Sequence, residues 1–138
     1  MKKTFFCAAI LISCLTYKPA CAQIHRLSAN INNQPDWGPI GYDHAEYYYM
    51  PGIDVYYDVT NHKYVYFENK VWVHAASLPP KYANFDLYHN YKAVVNKHNP
   101  WEHAAEVKAA YQSYKNVYDQ EPIRDSHDKR YLNHWKGK

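Results

Sequence analysis

A chain of 138 residues is long enough for one domain and marginal for two, and 16 basic residues against 13 acidic ones give no field that would argue for nucleic acid or anionic lipid. Tyrosine occurs 16 times, while Leu and Ile are scarce, so a core here must be built from rings whose hydroxyls need a partner or water.

The N-terminus reads as an export signal. Lys2 and Lys3 form a basic start, and residues 4–15 form an apolar run too short to span a bilayer as a helix. Ala20-Cys21-Ala22 offers small residues where a signal peptidase cuts, which makes residues 1–22 a signal peptide and Gln23 the first mature residue. The competing reading is a lipobox, Leu11-Ile12-Ser13-Cys14, with Cys14 lipidated. Cleavage after Ala22 is favoured, because a cut before Cys14 leaves a short apolar region. That cleavage removes Cys7, Cys14 and Cys21, so the mature chain has no disulfide, thiolate nucleophile or cysteine ligand. It also removes Lys2, Lys3 and Lys18, which brings the basic residues to 13, equal to the 13 acidic ones. The expected location is periplasmic or secreted, the alternative an outer-membrane lipoprotein through Cys14. The mature chain contains no candidate transmembrane span.

Residues 23–41 lack a sustained period and read as a linker, with Trp37 and Ile40 able to dock on the domain. Residues 42–120 read as one domain. Residues 46–50 form a candidate strand, and Pro51-Gly52 a turn. In residues 53–59, Ile53, Val55, Tyr57 and Val59 face one way and Asp54, Tyr56 and Asp58 the other. Asn61 suits a left-handed turn position before a strand over residues 63–68. Asn69-Lys70 then fits a two-residue hairpin turn into a strand over residues 71–75. Pro79-Pro80 takes the chain out of the sheet, and residues 91–96 are a plausible last strand. Asn99, Pro100 and Glu102 predict a helix start with a capping box. Ala104, Val107, Tyr111, Tyr114 and Tyr118 continue as one apolar stripe. Residues 121–138 read as a charged tail. The expected fold is α+β, a small antiparallel β-meander packed with a C-terminal α-helix.

The stretches "GYDHAEYYYMPGIDVYYDV", "YVYFENKVWV", "ASLPPKYANFDLYHNYKAVVN" and "PIRDSHDKRY" resemble a family of small, Tyr-rich exported proteins of Gram-negative bacteria, over about residues 38–131. The resemblance implies export and a single small domain, and assigns no catalytic residue. Family members often carry Asn-Gly where this chain has Asn69-Lys70.

Two binding chemistries compete with plain packing. Tyr48, Tyr56, Tyr64, Tyr66 and Trp72 would make a glycan-stacking surface if one sheet face were open; cross-strand aromatic packing is the favoured reading. The 9 histidines raise a copper or zinc site, with His89, His98 and His103 as first candidate ligands, although no H-x3-H or HExxH pattern supports one. Catalysis is poorly supported. Asp54 and Asp58 are roughly 13 Å apart on an extended strand, beyond either glycosidase arrangement. Ser77 has no flanking glycines, and Asp125-Ser126-His127 are sequence neighbours rather than a spatial triad. The sequence therefore predicts an exported cell-envelope protein with a non-enzymatic structural or binding domain, whose partner is an envelope component or glycan. The alternatives are a His-based periplasmic metal binder and an aromatic-surface glycan binder.

Overall fold

A computed structural model describes residues 27–135. The signal sequence, Cys14 and the alternative cleavage positions lie outside the described residues. Among the described residues, five strands form one antiparallel sheet: β1 (Tyr47–Met50), β2 (Val55–Asp58), β3 (Lys63–Glu68), β4 (Val71–Ala75) and β5 (Ala93–Val95). Their spatial order is β4-β3-β2-β1-β5, so β1 to β4 meander and β5 returns to pair with β1. A helix of two turns, α1 (Ala104–Tyr111), crosses one face, and a short α2 (Leu132–Trp135) ends the described chain. This is the small α+β fold that the sequence predicts. Among the described residues no helix is long and apolar enough to cross a membrane.

The tyrosine-rich stretch supplies both faces of the first hairpin. Tyr48 pairs across the ladder with Tyr57, and Tyr49 with Tyr56. Because strand side chains alternate, Tyr48 and Tyr57 point to one face and Tyr49 and Tyr56 to the other. The first face buries Met50, Val55, Tyr64 and Tyr66 with Tyr48 and Tyr57, beneath Trp37, Leu78, Tyr82, Phe85 and Leu87. The second face buries Val65, Ala93 and Val95 with Tyr49 and Tyr56, beneath Val107, Trp101 and Tyr111. The loop excursion and the helix thus cover opposite faces.

Residues 30–45, read as linker as far as Gly41, are part of the packed body. Trp37 lies edge-on to Tyr48 and Tyr57, at centroid distances of 5.7 and 4.7 Å. Asn30 donates to the Ala45 carbonyl oxygen at 2.7 Å and accepts from the Ala45 amide at 2.9 Å. The charged tail also packs. The Ile123 amide donates to the Gly38 carbonyl oxygen and the Arg124 amide to that of Asp36, each at 2.8 Å. Ile123 and Tyr131 are fully buried, and the Gly41 amide donates to the Tyr131 hydroxyl at 2.8 Å. Net charge in the segment misled: its charges point outward while two apolar anchors point in.

Lys92 is the most unusual buried group. Its stem lies inside the fold, and its ammonium donates to the carbonyl oxygens of Leu87 and Asn90, both at 2.6 Å. One side chain thereby satisfies the turn between the Pro79-Pro80 excursion and β5.

Local turn chemistry follows the sequence at one hairpin and departs from it at another. Asn69 and Lys70 both have positive φ, 50° and 65°, as a type I′ turn requires. At the preceding turn His62, not Asn61, takes the left-handed conformation (φ 54°). Asn61 instead donates through its amide and its side chain to Asp58, both at 2.8 Å, which fixes it outside that conformation. Lys70→Gly removes the Cβ strain of a left-handed residue but adds unfolded-chain entropy, and is expected to stabilise the protein slightly, read by chemical denaturation; a lowered midpoint would show that the strain is smaller than that entropy.

The helix also starts later than the capping box suggested. Asn99 is left-handed (φ 44°), and Pro100–His103 form a 3-10 turn before α1. The Asn99 side chain donates to Glu102 Oε1 at 3.0 Å instead of capping an amide. The helix ends at Tyr111, so Tyr114 and Tyr118 leave the stripe and are exposed.

Candidate functional site

The predicted aromatic surface does not exist as one surface. Tyr48, Tyr64 and Tyr66 lie on the first face, Tyr56 and Trp72 on the second. The four tyrosines are all buried, because the covering layers use those rings as their floor. The predicted metal ligands are likewise apart. His89 is bonded to Asp86 at 2.6 Å, His103 lies 3.8 Å from Glu106, and His98 is exposed on the connection after β5. Among the described residues no group of three or more His, Cys, Asp or Glu side chains is placed to hold a metal ion.

The structure opens a different site. Helix α1 covers the second face incompletely, leaving a cleft of about 490 Å³ between the sheet and the helix. Its sheet side is built by Tyr49, Tyr56, Phe67 and Trp72, and its helix side by Trp101, Ala104, Ala105 and Lys108. Ala104, Ala105 and Lys108 lie on neighbouring positions of one face of α1, and Trp101 comes from the 3-10 turn before it. Ala104 and Ala105 are the reason the gap remains: their methyl groups do not reach the sheet. Val107 and Tyr111, on the neighbouring face of α1, hold the helix down.

Tyr56 is the floor, only 1% exposed. Trp72 and Trp101 stand steeply against it, at interplanar angles of 69° and 70° and centroid distances of 5.9 and 6.3 Å. Phe67 packs against Trp72 at 5.2 Å and is itself 54% exposed, so the mouth of the cleft presents a ring to solvent. His74 and Tyr47 each meet Trp101 edge-on, at 5.0 and 5.4 Å, and fix its orientation from outside.

Polar groups occupy one end. Asp54, at the β1–β2 turn with φ 54°, accepts from the Tyr49 hydroxyl and from Lys108 Nζ, both at 2.7 Å. Burial pulls the Asp54 carboxyl upward, but the bonds from Lys108 and Tyr49 outweigh it and hold the pKa below the ordinary aspartate value. Burial and the bond to Asp54 push the Tyr49 phenol far above its ordinary range. The Tyr56 hydroxyl is buried without a hydrogen-bond partner among the described residues. Burial first, then the charge of Asp54, raises its pKa to about 12, so it keeps its proton as a donor. Glu102 lies at the rim.

Comparison with protein-family models, with curated proteins and with solved structures found no match. Every role assigned to a cleft residue therefore rests on its geometry. Sequence reasoning had found Tyr56 and Trp72 but missed Trp101, Asp54, Phe67 and Lys108 as their companions. The available signal was the pair of very small residues, Ala104 and Ala105, between Trp101 and Lys108.

Proposed function

We propose that the protein is an exported, non-enzymatic binding domain of the cell envelope whose ligand enters the cleft between the sheet and α1. The observation that carries the reading is the cleft itself: apolar ring walls, a few convergent polar groups and an opening to solvent, the general anatomy of a small-ligand site. Export is supported by the basic start, short apolar run and small-residue cleavage position of residues 1–22. Asp54 is not placed as a general acid: its two oxygens are already bonded by Tyr49 and Lys108 and its pKa is lowered, so at neutral pH it holds no proton to donate.

The test uses protein recovered from the periplasmic fraction, whose intact mass shows whether the chain begins at Gln23 or carries lipid on Cys14. An anilinonaphthalene dye is titrated into wild type and Ala105→Trp. Ala105 is exposed and lines the cleft, so the indole fills the gap without entering the core. Saturable dye fluorescence in wild type, reduced at least about tenfold in affinity by the filled cleft at unchanged thermal stability, is the expected result. Equal dye binding by both proteins would overturn the reading.

A further inference from the structure

We infer that the occupant of the cleft is a free quaternary ammonium solute, a monocation held among the rings of Phe67, Trp72 and Trp101 with its charge balanced by Glu102. This deepens the cleft reading and rests on it. The charge of the lining selects the sign of the ligand. The cleft carries two carboxylates, Asp54 and Glu102, and one ammonium, Lys108. Lys108 bonds Asp54 at 2.7 Å, so those two charges offset each other. Among the described residues no Lys, Arg or His lies within ion-pair distance of Glu102, whose Oε1 accepts only from the uncharged Asn99 side chain, at 3.0 Å. One negative charge is therefore left over. An anion would meet it with no spare cation to offset the repulsion, a neutral ligand would leave it as it was, and a monocation cancels it.

The ring walls act in the same direction. Five of the ten lining residues are aromatic, and the face of an aromatic ring is its negative side. The two indoles stand at 69° and 70° to the Tyr56 ring, so the rings border the space from different directions instead of forming one flat layer. Phe67 is exposed and Trp72 and Trp101 are half-buried, so a ligand can reach all three. A cation within about 6 Å of such rings is attracted by them, the more so where water is excluded.

The shortage of acceptors selects the substitution on the nitrogen. A primary ammonium brings three N–H donors and a guanidinium five, and each needs an acceptor when it leaves water. Between the rings the lining offers the methyl groups of Ala104 and Ala105. Each Asp54 oxygen already accepts a bond, from Tyr49 or from Lys108, and the Tyr56 hydroxyl is sealed from the cleft. A quaternary ammonium has no N–H to satisfy and turns alkyl groups toward the rings. The volume of about 490 Å³ takes such a solute whole, which favours a free molecule over the tip of a larger partner.

The experiment titrates three small solutes of one skeleton into the native protein: choline, ethanolamine with its primary ammonium, and 3,3-dimethylbutanol, the uncharged carbon isostere of choline. Binding is read by tryptophan emission and by displacement of an uncharged anilinonaphthalene dye. Choline is expected to bind saturably, to displace the dye, and to bind at least about tenfold more tightly than either of the other two. Glu102→Gln keeps an oxygen for the Asn99 bond and removes only the charge of an exposed side chain, so the fold and dye affinity should be unchanged. Its choline affinity should fall by about threefold to tenfold. A lipid headgroup can carry the same cation, so phosphatidylcholine vesicles form a separate arm. Protein that floats with vesicles but ignores free choline would overturn the free-solute assignment. Dye binding without choline binding, equal affinity for choline and its isostere or for choline and ethanolamine, or equal choline affinity in Glu102→Gln and wild type would overturn the cation inference while leaving the cleft reading standing. Failure of both dye and cations would remove the cleft reading with it.

Discussion

Raising the pH from about 8 to about 10 is expected to stabilise the protein, and raising it further to about 12 to unfold it. The first limb belongs to Lys92. Burial lowers its pKa to about 8, against a weaker opposing pull from Asp86. In the unfolded chain the same amine holds its proton until about 10.4. Between those values the unfolded chain binds more protons than the folded one, so stability rises with pH, by about 3 kcal/mol if the whole window is crossed. The second limb belongs to the phenols. Burial, then Asp54 for Tyr56 and Tyr57 for Tyr64, raises both to about 12. Burial also raises Tyr48 and Tyr49. A phenol with a raised folded pKa contributes stability that is complete below pH ~10 and is lost as the pH climbs through the folded value. Tyr56 and Tyr64 alone account for roughly 5 kcal/mol, comparable to the whole stability of many domains. Urea unfolding across this range, read by phenolate absorbance, should show the rise and then the collapse. Lys92→Met should flatten the rise only. A steady decline from about pH 8, or buried phenols titrating at about 10 in the folded protein, would contradict the assignment.

Tyr48→Ala is expected to cost about 3–5 kcal/mol, the range for emptying a fully buried aromatic site. Tyr48 has no exposed surface, and its ring lies 5.7 Å from Trp37 and 6.3 Å from Tyr57. Its hydroxyl donates to Gln34 Oε1 at 2.8 Å. Gln34 Nε2 in turn donates to the Tyr42 carbonyl oxygen at 3.0 Å. One side chain therefore fastens residues 30–45 to the sheet. Gly38 is tied to the same contact, since a Cβ there would lie 2.7 Å from the Tyr48 hydroxyl oxygen. Tyr48→Phe keeps the packing but leaves the Gln34 oxygen buried without its donor, at a cost of about 1–3 kcal/mol. Denaturation should rank wild type above Tyr48→Phe above Tyr48→Ala. Hydrogen exchange should quicken first at the Gly38 and Ala45 amides. Wild-type stability in Tyr48→Phe would show that the buried bond contributes nothing.

The strands were legible in the sequence because period-two alternation is a local signal. Residues 63–68 and 71–75 coincide with β3 and β4, and the division of Val55 and Tyr57 from Tyr56 holds in the packed sheet. The layer over each face was not legible. Tyr and Trp serve equally as buried floor and as exposed platform, and the sequence of β1 and β2 does not state whether a helix lies above. The linker and tail were hidden for a related reason. Gln34, Ile123 and Tyr131 are isolated anchors, held by bonds to Tyr42 and Tyr48, to Gly38 and to Gly41 respectively, and isolated anchors leave no period. The cleft was invisible in the same way: Asp54 and Lys108 are 54 positions apart and meet only because α1 crosses β1 and β2.

The central claim, that the sheet–helix cleft is the binding site, is tested most directly by the indole N–H resonances of the native protein during titration with the anilinonaphthalene dye. Trp72 and Trp101 line the cleft, whereas Trp37 sits on the opposite face beside Tyr48 and Tyr57. The Trp72 and Trp101 resonances are expected to shift together and saturate while Trp37 stays still. Shifts confined to Trp37, or bound dye that moves neither cleft indole, would contradict the account.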